Sequence, residues 1–318
     1  MRSHKKLAAL CAMPLLSAVL ALAAKPQEPA VQGPTIKSQV NLVNLFVTVR
    51  DKSKHIVTNL TQDDFKVSED GQDQKIAFFS KEVTLPITLG LLMDTSGSEQ
   101  NMLGAIQDGA SSFLNRVMRK GDEAMIISFD LDVDLLADLT DDRSQLNRAI
   151  HKAQVNAGGP MMTPGTLPTG NIGTDFYDAL YLACHDELAT EAGRKAVVVL
   201  TDAEDNGSKV KVEEAIEAAQ RTDTVVHILL VYDPHYGANS GVAKKITDET
   251  GGRMIVVNNE KHLQEAFDQI SEELRSQYTL GYYPTNNARD GNFRKIKVEV
   301  SNHDDKVLAR KGYYAPKG

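Results

Sequence analysis

Hydrophobic positions along the chain change rhythm twice. In "VNLVNLFVTVRDKSKHIVTNL" apolar and polar residues alternate around a turn at "DKSK", and "FKVSEDGQDQKIAFFSKE" repeats the alternation around "EDGQ". A period of two predicts paired strands with one buried face, so residues 38–82 read as a small all-β segment. From Leu85 the pattern changes. "ITLGLLM" is a nearly unbroken apolar run of strand length, as expected of a strand covered on both faces. Met102, Leu103, Ile106, Ala110, Phe113, Leu114 and Val117 then recur at helical spacing. Further strands are predicted in "DEAMIISFD", "VDLLADLT", "KAVVVLTD", "TVVHILLV" and "RMIVV". Between them lie a short helix opened by Asp141 or Asp142 and helices near 175–188, 210–221, 239–249 and 261–276. Strands alternating with helices need crossover connections. Residues 85–277 are therefore expected to form a three-layer α/β/α domain, doubly wound around a mostly parallel sheet. The tail, 278–316, returns to strand texture in "QYTLGYYPT", "NFRKIKVEVS" and "KVLARKGYYAP". Neither flank has enough apolar area to fold alone, so 38–82 and 278–316 are expected to pack together as an accessory β module.

The first residues follow another logic. Arg2, Lys5 and Lys6 precede "LAALCAMPLLSAVLALAA", which ends in small residues just before Lys25. This is the pattern of a secretory signal, with cleavage expected after Ala23 or Ala24 and residues 1–24 removed. A retained anchor is the alternative reading, because an 18-residue apolar run just spans a bilayer. Residues 25–37, rich in Pro, Gln and Lys, read as a flexible leader. The expected location is periplasmic or secreted, with no membrane span left after cleavage. Of the two cysteines only Cys184 survives such processing, so the exported chain has no internal disulfide and rests on its core. Cys184 shares helical spacing with Phe176 and Leu180 and reads as a buried, inert thiol. A net charge of -8, with no cluster of bases interleaved with aromatics, argues against a nucleic-acid partner.

Candidate chemistry gathers where strands end. In open α/β sheets, ligands bind beyond the carboxyl ends of the strands. "LLMDTSGS" ends a strand at Asp94 and follows it with Ser96 and Ser98; "VVVLTDAED" ends another at Asp202; Thr174 stands between a long loop and a helix. Two carboxylates and three hydroxyls offer only oxygen, which suits Mg²⁺ or Mn²⁺ rather than zinc or copper. Spacing alone leaves open the plainer reading, in which Asp94 and Ser96 only end a strand and cap a helix.

"DTSGS", the separate Thr174 before "DFYDAL" and Asp202 in "LTDAEDNG" together resemble the von Willebrand factor type A domain. That family's hallmark is the metal-ion-dependent adhesion site, Asp-x-Ser-x-Ser followed by a separate Thr and Asp. The flanking segments resemble those of the exported von Willebrand factor type A-related proteins of Acidobacteria. The resemblance implies a Rossmann-like fold and a metal site of Asp94, Ser96, Ser98, Thr174 and Asp202. Ser96, Ser98 and Thr174 would be the more direct ligands, with the aspartates acting through water. Mg²⁺ is the implied ion, with Mn²⁺ or Ca²⁺ as alternatives, and the implied partner is a protein offering Asp or Glu to the ion. Glu99 departs from the family pattern, which commonly has Met there. It is read as solvent-facing, close enough to tune affinity or compete with a partner's carboxylate.

The segment 156–173, "NAGGPMMTPGTLPTGNIG", is too rich in Gly, Pro and Thr for a periodic element and leads straight to Thr174. It is expected on the metal-bearing face, where Met161, Met162 and Leu167, with Tyr236 of "DPHYGANSG" and Glu99, would contact the partner; a disordered insertion is the equal alternative. Two other functions compete. One is a structural or assembly subunit with a vestigial metal site. The other is a Mg²⁺-dependent hydrolase or phosphatase with Asp94 as nucleophile. The second is weak, because the position two residues on holds Ser96 instead of an acid and no base stands near to clamp a phosphate. Ser96 is also not in a Gly-x-Ser-x-Gly elbow. A non-enzymatic binding module is the expected class.

Overall fold

The computed structural model describes residues 42–81, 85–155, 173–232, 235 and 237–318. The segments read as signal and leader lie outside these residues, as do Met161, Met162, Leu167 and Tyr236. The described residues belong to one compact unit. They begin with β1 (Val43–Arg50), β2 (Phe65–Glu69), β3 (Gln72–Gln74) and β4 (Ile76–Ser80). The α/β alternation follows: β5 (Ile87–Asp94), α1 (Leu103–Val117), β6 (Glu123–Phe129), β7 (Val133–Thr140), α2 (Arg143–Ile150) and α3 (Phe176–Leu182). It continues through β8 (Arg194–Thr201), α4 (Val212–Arg221), β9 (Thr224–Val231), α5 (Ser240–Thr250), β10 (Met254–Val257) and α6 (Glu260–Arg275). The last strands are β11 (Tyr278–Tyr282), β12 (Phe293–Val300), β13 (Lys306–Leu308) and β14 (Gly312–Tyr314).

Six strands form the central sheet in the order β10-β9-β8-β5-β6-β7, all parallel except β7, which runs back against β6. The mostly parallel, helix-covered sheet expected from the apolar runs is the observed architecture. Every residue of β5, β8 and β9 is buried, which is why those runs lack alternation. One face packs Leu89, Leu91 and Met93 against Ile106, Phe113, Phe267 and Ile270 of α1 and α6. The other packs Leu92, Val197, Val199 and Ile228 against Phe176, Leu180, Ala215 and Ile246 of α3, α4 and α5. Asp142 opens α2, its side chain accepting from the backbone of Ser144 and Gln145. The helix expected over 175–188 keeps α geometry only to Leu182. A wider π turn, Ala183–Glu187, follows, and it brings Ala183, Cys184 and Leu188 all inside. Burial pushes the Cys184 thiol up to about 12, so it is inert as read.

The flanks pair with each other. One four-stranded sheet has the order β13-β1-β11-β4 and a second the order β14-β12-β2-β3. Their inner faces share one core, in which Leu45, Val47, Tyr278 and Leu280 meet Phe65, Val67, Ile296 and Val300. Three local expectations are corrected. The hairpin around "DKSK" shrinks to a single bridge, Arg50 with Ile56, because β11 already occupies that edge of β1 as far as Val47. "KIAFFS" splits from the turn strand. Asp70 and Gly71, both at positive φ, close β2 onto β3, and after Lys75 the chain crosses to pair β4 with β11. "KVLARKGYYAP" is also two strands, β13 and β14, which serve different sheets.

Candidate metal site at the carboxyl edge of the sheet

β5 and β8 are neighbours at the centre of the sheet, so Asp94, the last residue of β5, and Asp202, the first after β8, reach the same edge. Beyond Asp94 the chain turns through Ser96 into a short 3-10 turn, Gly97–Glu99, that leads into α1. The Ser96 N–H donates to Asp94 Oδ1 at 2.9 Å, and the Ser96 and Ser98 hydroxyls lie 3.0 Å apart. The Thr201 hydroxyl donates to the other Asp94 oxygen at 2.6 Å and accepts from the Ala203 N–H. Asp202 accepts from the Glu204 N–H at 3.0 Å. Thr174 sits at the same edge, its N–H donating to the Asn206 side chain at 2.7 Å, with Asp175 N–H bonded to the carbonyl of Asp130 at the end of β6. The Thr95 hydroxyl donates to Asp130, completing a belt of side chains that fixes the loops.

Asp94, Asp202 and Glu99 are all buried, and one oxygen from each lies within 4.8 Å of the other two. The expectation that Glu99 faces solvent is therefore corrected: it is 1% exposed and turned in beside the two aspartates. A signal for this was available. Glu99 stands four residues before Leu103 and seven before Ile106, on the buried stripe of α1 extended backwards. Thr201 and Asn206, which hold Asp94 and Thr174, were also missed; both neighbour Asp202 in sequence.

Among the described residues, no Lys, Arg or His forms an ion pair with Asp94 or Asp202. Burial pushes the Asp94 carboxyl up to about 7; its hydrogen bonds from Ser96 and Thr201 pull the other way, and the charge of Asp202 adds to the rise. Oxygens bound about 2.1–2.4 Å from one hard dication lie roughly 3–4.8 Å from each other. The serine pair and the three carboxylates have that spacing. The serine pair and the carboxylate trio thus each fit a divalent cation by donor type and by separation.

Several solved structures are similar to this chain. Proximal thread matrix protein 1 from the mussel byssus matches with a TM-score of 0.50 at 14% identity, over 74% of this chain and 50% of that one. The same protein with a zinc-occupied MIDAS motif matches with a TM-score of 0.50 at 15% identity, over 64% and 48%. BatB from Bacteroides thetaiotaomicron matches with a TM-score of 0.47 at 18% identity, over 60% of this chain and 100% of that one. Identities this low speak for the fold alone. No curated protein matches the chain. The sequence itself matches the family model of the von Willebrand factor type A domain over residues 89–204, a span that runs from within β5 to just past Asp202. The chain therefore carries a von Willebrand factor type A domain.

Proposed function

We propose that this chain is an exported, non-enzymatic binding module that holds a divalent cation at its carboxyl edge and offers it to an acidic side chain of a protein partner. The observation that carries the reading is the oxygen cluster itself. Two facing serine hydroxyls and buried carboxylates converge where two central strands end, and among the described residues no Lys, Arg or His pairs with Asp94 or Asp202. In this reading Ser96, Ser98 and Thr174 hold the ion, while Asp94 and Asp202 orient the serines and bound water, a role typical of groups behind a metal's direct ligands. The ion supplies an electrophilic centre for a carboxylate oxygen. Mg²⁺ fits the all-oxygen donor set, and Mn²⁺ or Ca²⁺ would be accepted by the same atoms. The zinc-occupied motif of the mussel protein keeps zinc among the ions to be tried.

Met161, Met162 and Leu167, in the segment leading to Thr174, and Tyr236 are proposed as apolar contacts around this polar centre, with the partner's Asp or Glu at its middle. Hydrolysis is disfavoured because Asp94 spends both oxygens on hydrogen bonds from Ser96 and Thr201. Export is proposed from the first 24 residues; among the described residues, no helix is long and apolar enough to cross a membrane.

Calorimetric titration of the metal-stripped full chain tests the proposal. Mg²⁺ should bind the wild type, and the D94A/D202A double variant should lose affinity by about 100-fold or more. Equal affinity in the two proteins would defeat it.

A further inference from the structure

Glu99 is not needed by the five-residue site, yet it points into it. Its backbone is held in place: its N–H donates to the Ser96 carbonyl at 3.0 Å, and its own carbonyl accepts from Met102 at 2.9 Å. The turn is thus fixed at both ends, and the side chain enters the interior next to Ser98. It brings a carboxylate oxygen within 4.8 Å of oxygens from both Asp94 and Asp202, and all three residues are buried.

We propose that Glu99 is an internal ligand that caps the cation site, so that a partner's carboxylate binds by displacing it. The proposal rests on the metal-binding reading given above. Two arguments lead to it. The first concerns charge. Asp94 and Asp202 neutralise a dication, whereas adding Glu99 leaves the site with one net negative charge, a poorer target for an incoming acid. The second concerns the number of donors. With Ser96, Ser98 and Thr174 as direct ligands and the aspartates acting through water, the octahedral shell of Mg²⁺ keeps positions that those three side chains do not fill. One such position is the opening that an outside carboxylate would take. This chain fills the opening with its own acid.

The ion should therefore be held tightly and presented reluctantly. Weak acids would leave Glu99 in place. A partner carboxylate would compete only when its surroundings supply further binding energy, as in a docked protein surface. Glu99 thereby selects for partners that make an extended contact and suppresses capture of free organic acids.

The test uses the metal-stripped full chain, with Mn²⁺ as the ion and acetate as the probe. Calorimetry gives Mn²⁺ affinity, and water-proton relaxation of the Mn²⁺-loaded protein reports exchangeable bound water and its replacement by acetate. Glu99→Gln keeps the shape and removes the charge; Glu99→Met also removes the oxygens. Both variants should bind Mn²⁺ about tenfold more weakly, gain relaxation from newly admitted water, and lose that gain as acetate is added. Without metal, a thermal melt is recorded for the wild type and both variants. That measurement checks that they fold. Variants that match the wild type in Mn²⁺ affinity and in relaxation would overturn the role of Glu99, even if D94A/D202A abolishes Mn²⁺ binding. If the wild type and D94A/D202A bind Mn²⁺ alike, both this inference and the metal-site reading fall.

Discussion

The two edges of the central sheet treat buried acid in opposite ways. At the amino edge, Glu273 of α6 is wholly buried between Arg50 of β1 and Arg253, just before β10, with His227 of β9 at 3.8 Å. Nearby, Asp122 pairs with Arg275 and accepts from the backbone of Ile87 and Arg119. Each buried carboxylate there meets a guanidinium of this chain. At the carboxyl edge, Asp94 and Asp202 are as deeply buried, but among the described residues no cation pairs with them. A protein can stabilise an interior acid with its own base, or leave the positive charge to be supplied from outside. Only the second arrangement makes a site.

Breaking the paired edge should have the largest effect. Glu273→Ala would leave a buried Arg50 and a half-buried Arg253 without a counter-charge and destabilise the fold by about 3–5 kcal/mol. Urea denaturation measures this, and a loss under 1 kcal/mol would show that the edge is wetter than its burial implies. Next comes pH. Burial holds His227 well below its ordinary value, at about 4; Glu273 opposes the shift, while Arg253 and Arg50 reinforce it. The unfolded chain takes up a proton near pH 6.5 and the folded chain does not. Stability is therefore full above 6.5 and is lost as pH falls towards 4, by at most about 3 kcal/mol. His227→Leu should flatten that part of the stability–pH curve, and an unchanged slope would assign the acid sensitivity elsewhere. The smallest effect belongs to the other edge. Thr201→Val removes one hydrogen bond to Asp94 and should cost about 1.5 kcal/mol. Addition of Mg²⁺ should recover part of that loss in a thermal melt, and a melt insensitive to Mg²⁺ in both proteins would remove the contrast between the edges.

The carboxyl edge was the more legible of the two. Asp94 and Asp202 end uninterrupted apolar runs, so hydrophobic patterning placed both at strand ends, and the hydroxyls of Ser96 and Ser98 lie within four residues of Asp94. Glu99 was misplaced because an isolated acid next to polar residues reads as exposed, and only the stripe of the following helix reveals its direction. The paired edge left no local trace. Arg50 and Glu273 are 223 positions apart, and neither sits in a motif. The same physics governed the fold. Buried parallel strands announced themselves, whereas the crossing at Lys75, which sends β3 and β4 to different sheets, depends on what β2 and β11 leave free. Periodicity reports which face of an element is covered. It does not report by whom.

The pairing of β1 has a consequence for the order of assembly. Its two neighbours, β11 and β13, lie more than 220 positions downstream. During synthesis β1 to β4 emerge before the α/β domain and wait, with Leu45, Val47 and Phe65 uncovered, while that domain is completed between them and their partners. Contacts this remote close slowly, and apolar strands left open meanwhile invite association with other chains. The sandwich is thus a clasp that shuts last. A molecular chaperone that shields extended segments would act here on β1 to β4, until β11 arrives.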